Sequence, residues 1–165
     1  MPTEIERKLL IKNDLWRSQV QRSERITQGY LNQYDPNIEG PQSSVRVRIG
    51  GTLDAPKAWL NIKSATLGIE RQEYEYEIPV ADAEEMLATL CKRPQIDKTR
   101  HYIPADQHVW EVDEFHGDNQ GLIVAEIELN SADEAFELPD WAGEDVSGDP
   151  RYYNSELIKH PYSAW

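Results

Sequence analysis

Glu4-Ile5-Glu6-Arg7-Lys8 opens the first period-two stretch of the chain, and its reading governs the rest. In a strand, residues i and i+2 share a face. Glu4, Glu6 and Lys8 therefore stand on one face, and Ile5 and Leu9 on the other. A charged face meeting water on a two-sided sheet would explain this strand taken alone. The same division recurs down the chain. Arg46 and Arg48 oppose Val45, Val47 and Ile49, and Lys63 opposes Leu60 and Ile62. Arg71, Glu73, Glu75 and Glu77 oppose Tyr74, Tyr76 and Ile78. Lys98 and Arg100 share a face. Glu111 and Asp113 oppose Trp110 and Val112, while Glu126 and Glu128 oppose Ala125, Ile127 and Leu129.

Period-two alternation marks about eight strands. They lie near residues 4–11, 25–34, 43–49, 57–64, 69–78, 96–103, 107–114 and 122–129. Gly50-Gly51, Asp54-Ala55-Pro56 and Gly117-Asp118-Asn119 supply turn chemistry between them. Short links predict antiparallel pairing, and about eight such strands can close into a barrel without exposed edges. Three stretches read as helical. One is capped by Asn13 and carries Leu15, Trp16 and Val20; one is capped by Asp82 and carries Met86, Leu87 and Leu90; a third covers 152–159, after Pro150. The fold class is therefore mainly β (α+β), a single domain over residues 1–165. With the apolar faces outward beneath helices, the charged faces line a polar tunnel. Charges so confined need counter-charges, because an unpaired buried charge is too costly. A highly charged ligand plus metal ions would satisfy both signs.

Composition narrows the partners. Among 165 residues, Lys and Arg number 17 against 30 Asp and Glu, a formal charge of −13. Such a field repels duplex nucleic acid and anionic membrane. Cys91 is the single cysteine, which excludes an intrachain disulfide and fits a reducing compartment. The N-terminus lacks a signal core, and no apolar run reaches the ~20 residues of a membrane span. The expected location is the cytoplasm. A homodimer partner is left open.

The chemistry follows from the charged faces. Lys8, Arg46, Arg48, Lys63, Lys98 and Arg100 suit phosphate oxygens. Clustered carboxylates suit the hard cations Mg²⁺ or Mn²⁺. Cutting a polyphosphate needs positioning and charge neutralisation, which these residue types supply. Other phosphate and hydrolase signatures are missing: there is no G-x-x-x-x-G-K-[ST], G-x-G-x-x-G or G-x-S-x-G. His101, His108, His116 and His160 form no close ligand pair for zinc. Cys91 ends an apolar helical stripe and is expected to pack.

In order along the chain come Glu4-Ile5-Glu6-Arg7-Lys8, Gln28-Gly29-Tyr30-Leu31, Val45-Arg46-Val47-Arg48, Lys63-Ser64, Arg71-Gln72-Glu73-Tyr74-Glu75, Asp97-Lys98-Thr99-Arg100, Trp110-Glu111-Val112-Asp113 and Ala125-Glu126-Ile127-Glu128. To about Asn154 this series resembles the CYTH superfamily, the triphosphate tunnel metalloenzymes, with its opening Glu-x-Glu-x-Lys. The resemblance implies an eight-stranded antiparallel closed β-barrel, a small-molecule triphosphate substrate and a need for Mg²⁺ or Mn²⁺. Carried over by position, it makes Glu4, Glu6, Glu126, Glu128 and Asp113 metal ligands. Lys8, Arg46, Arg48, Lys63, Lys98 and Arg100 become the triphosphate cradle. Glu73 and Glu75 would help position water, the cations or a metal. Tyr30 matches a tyrosine proposed as proton acceptor in short bacterial members; a hydrogen bond to Lys8 is the competing role. Gly29 would permit a bend. Where short relatives often carry a Lys, this chain has Tyr153, so a basic contribution from the C-terminal helix would fall to Arg151 or Lys159.

Length and the Gln28-Gly29-Tyr30-Leu31 segment look most like the short bacterial inorganic triphosphatases. The expectation is an enzyme that hydrolyses inorganic triphosphate to pyrophosphate and phosphate. A thiamine triphosphatase is an alternative. So is an adenylyl cyclase, which would need a base pocket that Trp59 and Tyr102 could line. A polyphosphate- or nucleotide-binding module is the non-enzymatic alternative.

Overall fold

A computed structural model describes residues 2–66 and 68–165. The elements are β1 (Thr3–Ile11), a 3₁₀ turn (Leu15–Gln19), β2 (Arg22–Tyr30), β3 (Ser43–Gly51), β4 (Pro56–Ser64), β5 (Glu70–Ile78) and α1 (Val80–Thr89). There follow β6 (Ile96–Ala105), β7 (His108–Phe115), β8 (Ile123–Glu128), β9 (Ala142–Asp145), a 3₁₀ turn (Pro150–Tyr152) and the one-turn α2 (Asn154–Leu157). The strands run β5-β4-β3-β2-β6-β7-β8-β1-β9, and β5 also pairs with β1. Eight antiparallel strands thus close a barrel, and β9 is an extra strand.

Closure depends on β1 having three neighbours. One edge pairs with β8, from Glu6 opposite Glu128 to Leu10 opposite Val124. The other edge is divided. Its first residues meet β5, with Glu4 opposite Arg71, and its last meet β9, with Leu9 opposite Asp145. Arg7, turned outward, fastens β9 by donating Nε–H to Asp145 at 2.8 Å.

The outward faces bury the apolar residues. Trp16, Trp110 and Trp141 are wholly buried beside Leu9, Val112, Ala125 and Ile127. Trp110 meets Trp141 edge-on at 5.4 Å. Truncating one such aromatic to Ala would cost about 3–5 kcal/mol. Helix α1 covers Val47 and Ala58 with Ala83 and Leu87. A side chain on Gly29 would place Cβ 2.8 Å from Cys91 Cβ and 3.0 Å from Leu87. Gly29 therefore admits the end of α1, rather than a bend, and Cys91 packs as expected.

Four features differ from the sequence expectation. The stretch after Asn13 forms only a five-residue 3₁₀ turn, held by packing of Trp16. Helix α1 starts at Val80, so Asp82 lies in its first turn instead of capping it. The C-terminal stretch divides into a 3₁₀ turn and one α turn. Strand β9 is too short to show alternation. Among the described residues no helix is long and apolar enough to cross a membrane.

Candidate active site

The inward faces change character along the strands. Glu4, Glu6 and Lys8 of β1 give way to Leu10, and Arg100 and Lys98 of β6 to Ile96. Asp113 gives way to Phe115, and Glu126 to Val124. Leu10, Ile96, Phe115 and Val124 pack with Tyr30 against Val146, Tyr152, Leu157 and Ile158 of the C-terminal segment. This apolar floor stops the barrel on that side. Above it lies a charged cavity of about 180 Å³. A larger cleft of about 610 Å³ on the outer surface, by Phe136 and Trp141, has no Lys or Arg in its wall.

All the expected cations line the cavity: Lys8, Arg46, Arg48, Lys63, Lys98 and Arg100. So do Glu4, Glu6, Glu126 and Glu128, together with Glu73, Glu75 and Tyr30. Asp113 does not. It is wholly buried behind the wall, where Arg100 donates to both its oxygens at 2.8 and 2.9 Å and Lys98 donates to Oδ2 at 2.8 Å. Burial alone would raise the Asp113 carboxyl, but Arg100 and Lys98 hold it below its ordinary range. Burial, opposed by Asp113 and aided by Arg100 and Arg48, brings the Lys98 amine down to about 7. Burial with Arg46 and Arg100 nearby takes Arg48 down to about 10.

The carboxylates face the opposite problem. Glu6 stands directly across from Glu128, and Glu126 from Glu111. Like charges so placed repel. Burial, then Glu126 and Glu4, pushes Glu6 well above its ordinary range. Partial burial, then Glu4 and Glu111, raises Glu128, which lies exposed at the rim. Burial would raise Glu126 too, but Lys8 and Arg100, each 3.6 Å away, hold it well below. Glu4 accepts from Lys63 at 3.0 Å, which outweighs burial and lowers it.

Among the described residues no three His, Cys, Asp or Glu side chains are gathered closely enough to clasp an ion as they lie. The donor set still fits a hard cation: oxygen ligands, in excess, with Glu6 and Glu128 directly opposite each other. A cation bound there would relieve that opposition.

Sequence reasoning passed over several residues that complete the wall. Asn61 is buried and donates at 3.0 Å to both Glu73 and Glu75. Its face was legible, two residues from Lys63. Gln28, two residues from Tyr30, accepts from Arg48 at 2.8 Å. Arg71 and Glu111 carried the charged-face signal; Glu111 pairs with Arg100. Tyr153 lies 4.4 Å from the Arg71 guanidinium and 5.5 Å from Lys8 Nζ, both over its ring. No periodicity marks Tyr153 or Asn154, which lie where a 3₁₀ turn passes into the one-turn α2; only the resemblance points to Tyr153.

Other expectations are corrected. Lys8 Nζ donates to the Tyr152 carbonyl at 3.1 Å, and the Tyr30 hydroxyl bonds Gln28, so no Lys8–Tyr30 bond forms. Arg151 is exposed and bound to Asp149. Lys159 donates to Glu156 and the Tyr34 carbonyl. Neither lines the cavity. Trp59 packs by Gly50, and Tyr102 donates to Glu24 beneath Arg22, so neither residue lines it.

A closed antiparallel barrel with cations and carboxylates facing one cavity defines a class of fold built to hold a polyvalent anion. The CYTH domain profile matches residues 2–153, and the chain belongs to the CYTH family. It is 44% identical over 162 residues to an inorganic triphosphatase of Acetivibrio thermocellus, covering 98% of this chain and 97% of that one. It is 35% identical to an inorganic triphosphatase of Nitrosomonas europaea, covering 94% and 96%. A crystal structure of an inorganic triphosphatase superposes with a TM-score of 0.60 at 33% identity, covering 96% and 95%.

Proposed function

We propose that this chain hydrolyses inorganic triphosphate to pyrophosphate and phosphate with a divalent cation, Mg²⁺ or Mn²⁺. One observation carries the reading. A single cavity sets an arc of Lys and Arg against a band of carboxylates, of which Glu6 and Glu128 face each other with no ion pair of their own among the described residues. An anion binder gains nothing from those carboxylates; a metal-assisted phosphoryl hydrolase needs them.

The residues then divide the work. Arg46, Arg48, Lys98 and Arg100 meet the substrate oxygens, with Lys8 and Lys63 completing the cradle. Arg46 Nε is buried without a partner among the described residues, a donor waiting for an anion. The charge that builds on the leaving pyrophosphate falls on the same arc. Glu4, Glu6, Glu126 and Glu128 would hold the cation, which when bound neutralises phosphate charge and lowers the pKa of a bound water. Asp113, with both oxygens engaged, orients Lys98 and Arg100 rather than ligating metal. Asn61 fixes Glu73 and Glu75, which orient the attacking water.

The test is a turnover panel of inorganic triphosphate, ATP, thiamine triphosphate and longer polyphosphate, with Mg²⁺ or Mn²⁺. Pyrophosphate and phosphate from inorganic triphosphate are the expected products. Cyclic AMP from ATP would replace this reading by a cyclase. Near-full turnover in Glu126→Ala would overturn the carboxylate assignment.

A further inference from the structure

Two amides in the cavity wall have orientations dictated by their neighbours. Arg48 Nε donates to Gln28 Oε1 at 2.8 Å, and a guanidinium cannot accept. Gln28 Nε2 must therefore face the other way. There it donates to the Tyr30 hydroxyl and to Asn154 Oδ1, each at 3.1 Å. Lys98 Nζ donates to the same Asn154 oxygen at 3.0 Å. Turning either amide over would set donor against donor.

Two consequences follow by counting donors and acceptors. The Tyr30 oxygen serves Gln28 as an acceptor, so its own proton is left to give. Asn154 Oδ1 is engaged twice, so Nδ2 faces away from both donors, and it has no partner among the described residues. Tyr30 and Asn154 both line the cavity, while Gln28 is wholly buried behind them.

We propose that Gln28 is a positioning residue that turns the Tyr30 hydroxyl and the Asn154 amide into two neutral hydrogen-bond donors for phosphate oxygens of the bound triphosphate. This rests on the proposed reaction and deepens it. The cations supply attraction from any direction; these two donors supply direction. Because they carry no charge, they add no repulsion to a wall already crowded with cations. Tyr30 in this arrangement gives a hydrogen bond to substrate instead of taking a proton from water.

The experiment compares Gln28→Glu, Tyr30→Phe, Asn154→Asp and their pairs. Glu at position 28 still accepts from Arg48 but draws the Tyr30 hydroxyl onto itself and removes one of the two donors that fix the Asn154 oxygen. Removing hydrogen bonds to a charged ligand in this way should raise KM for inorganic triphosphate about tenfold, with kcat changed less than about threefold. Tyr30→Phe should raise KM severalfold. Adding it to Gln28→Glu should add almost nothing, since that donor is already withdrawn. Tyr30→Phe and Asn154→Asp should multiply, since each removes a separate donor; this pair carries the test if Gln28→Glu does not fold.

A loss of packing or a simple charge effect would multiply in every pair and would overturn the relay. So would a Tyr30→Phe enzyme that loses kcat at unchanged KM. Calorimetry of triphosphate binding in chelator reads the same ratios without turnover. A wild-type chain that binds but never hydrolyses would overturn the reaction and not the relay. Equal affinities in all variants would overturn the relay and not the reaction.

Discussion

The barrel holds two charged clusters built on opposite plans. Asp113, Lys98 and Arg100 form a closed set: each formal charge has an opposite partner within 2.9 Å, and all three are buried. Glu6 and Glu128 form an open set: they stand opposite each other with no ion pair among the described residues, while their neighbours Glu126 and Glu111 share Arg100, and Glu126 also has Lys8. The strands that carry the two sets adjoin, so the contrast is not one of location. A closed set holds a wall in place. An open set keeps a demand for positive charge that the chain does not meet. The contrast sets two cations held in place by Asp113 against carboxylates left without a counter-charge.

The largest effect should come from breaking the closed set. Asp113→Asn strips buried Lys98 of its counter-charge and leaves Arg100 only Glu111 and Glu126, which costs about 3–5 kcal/mol. Urea unfolding of the metal-free chain measures it. A loss under about 1 kcal/mol would return Asp113 to the ligand set.

The open set should respond the other way. Glu6→Gln imitates the protonated form that the metal-free barrel already favours. Its thermal midpoint without metal should be unchanged or higher. Turnover should fall by at least about 100-fold, since even supporting groups of a metal site are worth about 10–100-fold. A destabilised but active Glu6→Gln enzyme would erase the distinction between the clusters.

Asn61 offers an intermediate case, because it holds two carboxylates without neutralising either. Asn61→Ala should cost about 1–2 kcal/mol of stability and a severalfold loss of turnover. Unchanged turnover would remove Glu73 and Glu75 from the reaction.

The same contrast explains what was legible in the sequence. Strand faces are set by a period of two, so Glu4, Lys8, Arg46, Lys98 and Glu126 could be placed on charged faces from spacing, and closure of about eight such strands turned those faces inward. Which of them pair depends on register across strands distant in sequence. The register sets Arg100 opposite Asp113 and Glu111 opposite Glu126, and no local pattern encodes it. Asp113 therefore looked like Glu126 in the sequence; in the fold both lean on Arg100 and a lysine, but only Glu126 faces the cavity. The floor was readable too, in Leu10, Ile96, Phe115 and Val124, once the inner faces were followed past their last charge. Tyr153 and Asn154 were not, because a 3₁₀ turn joined to a single α turn is too short to carry a period. The 3₁₀ turn at Leu15–Gln19 shows the same limit: one buried Trp fixes it, and a single residue makes no pattern.

The smallest effect is a pH dependence, and its sign follows from the two clusters. Without metal, the folded pKa of Glu6 lies above the unfolded value of 4.5, as do those of Glu73, Glu111 and Glu128. Between 4.5 and those raised values, the folded chain holds protons that the unfolded chain has released. Stability is therefore lost as pH rises through that window. Lys98 runs the other way: its folded pKa of about 7 lies below the ordinary 10.5. From about 7 upward the unfolded chain holds more protons, so stability returns as pH climbs toward 10.5. Glu126, Asp113 and Glu4, all depressed, lose their contribution only below the acid window. The metal-free thermal midpoint should therefore pass through a shallow minimum near neutral pH. A divalent cation replaces the protons of the open set and leaves the closed set untouched. Its stabilisation should accordingly grow from pH 5 to pH 7, filling the acid side of the minimum, while the rise above pH 7 persists. A midpoint that climbs steadily from pH 5 in chelator would mean that the open carboxylates are already neutralised by the chain itself.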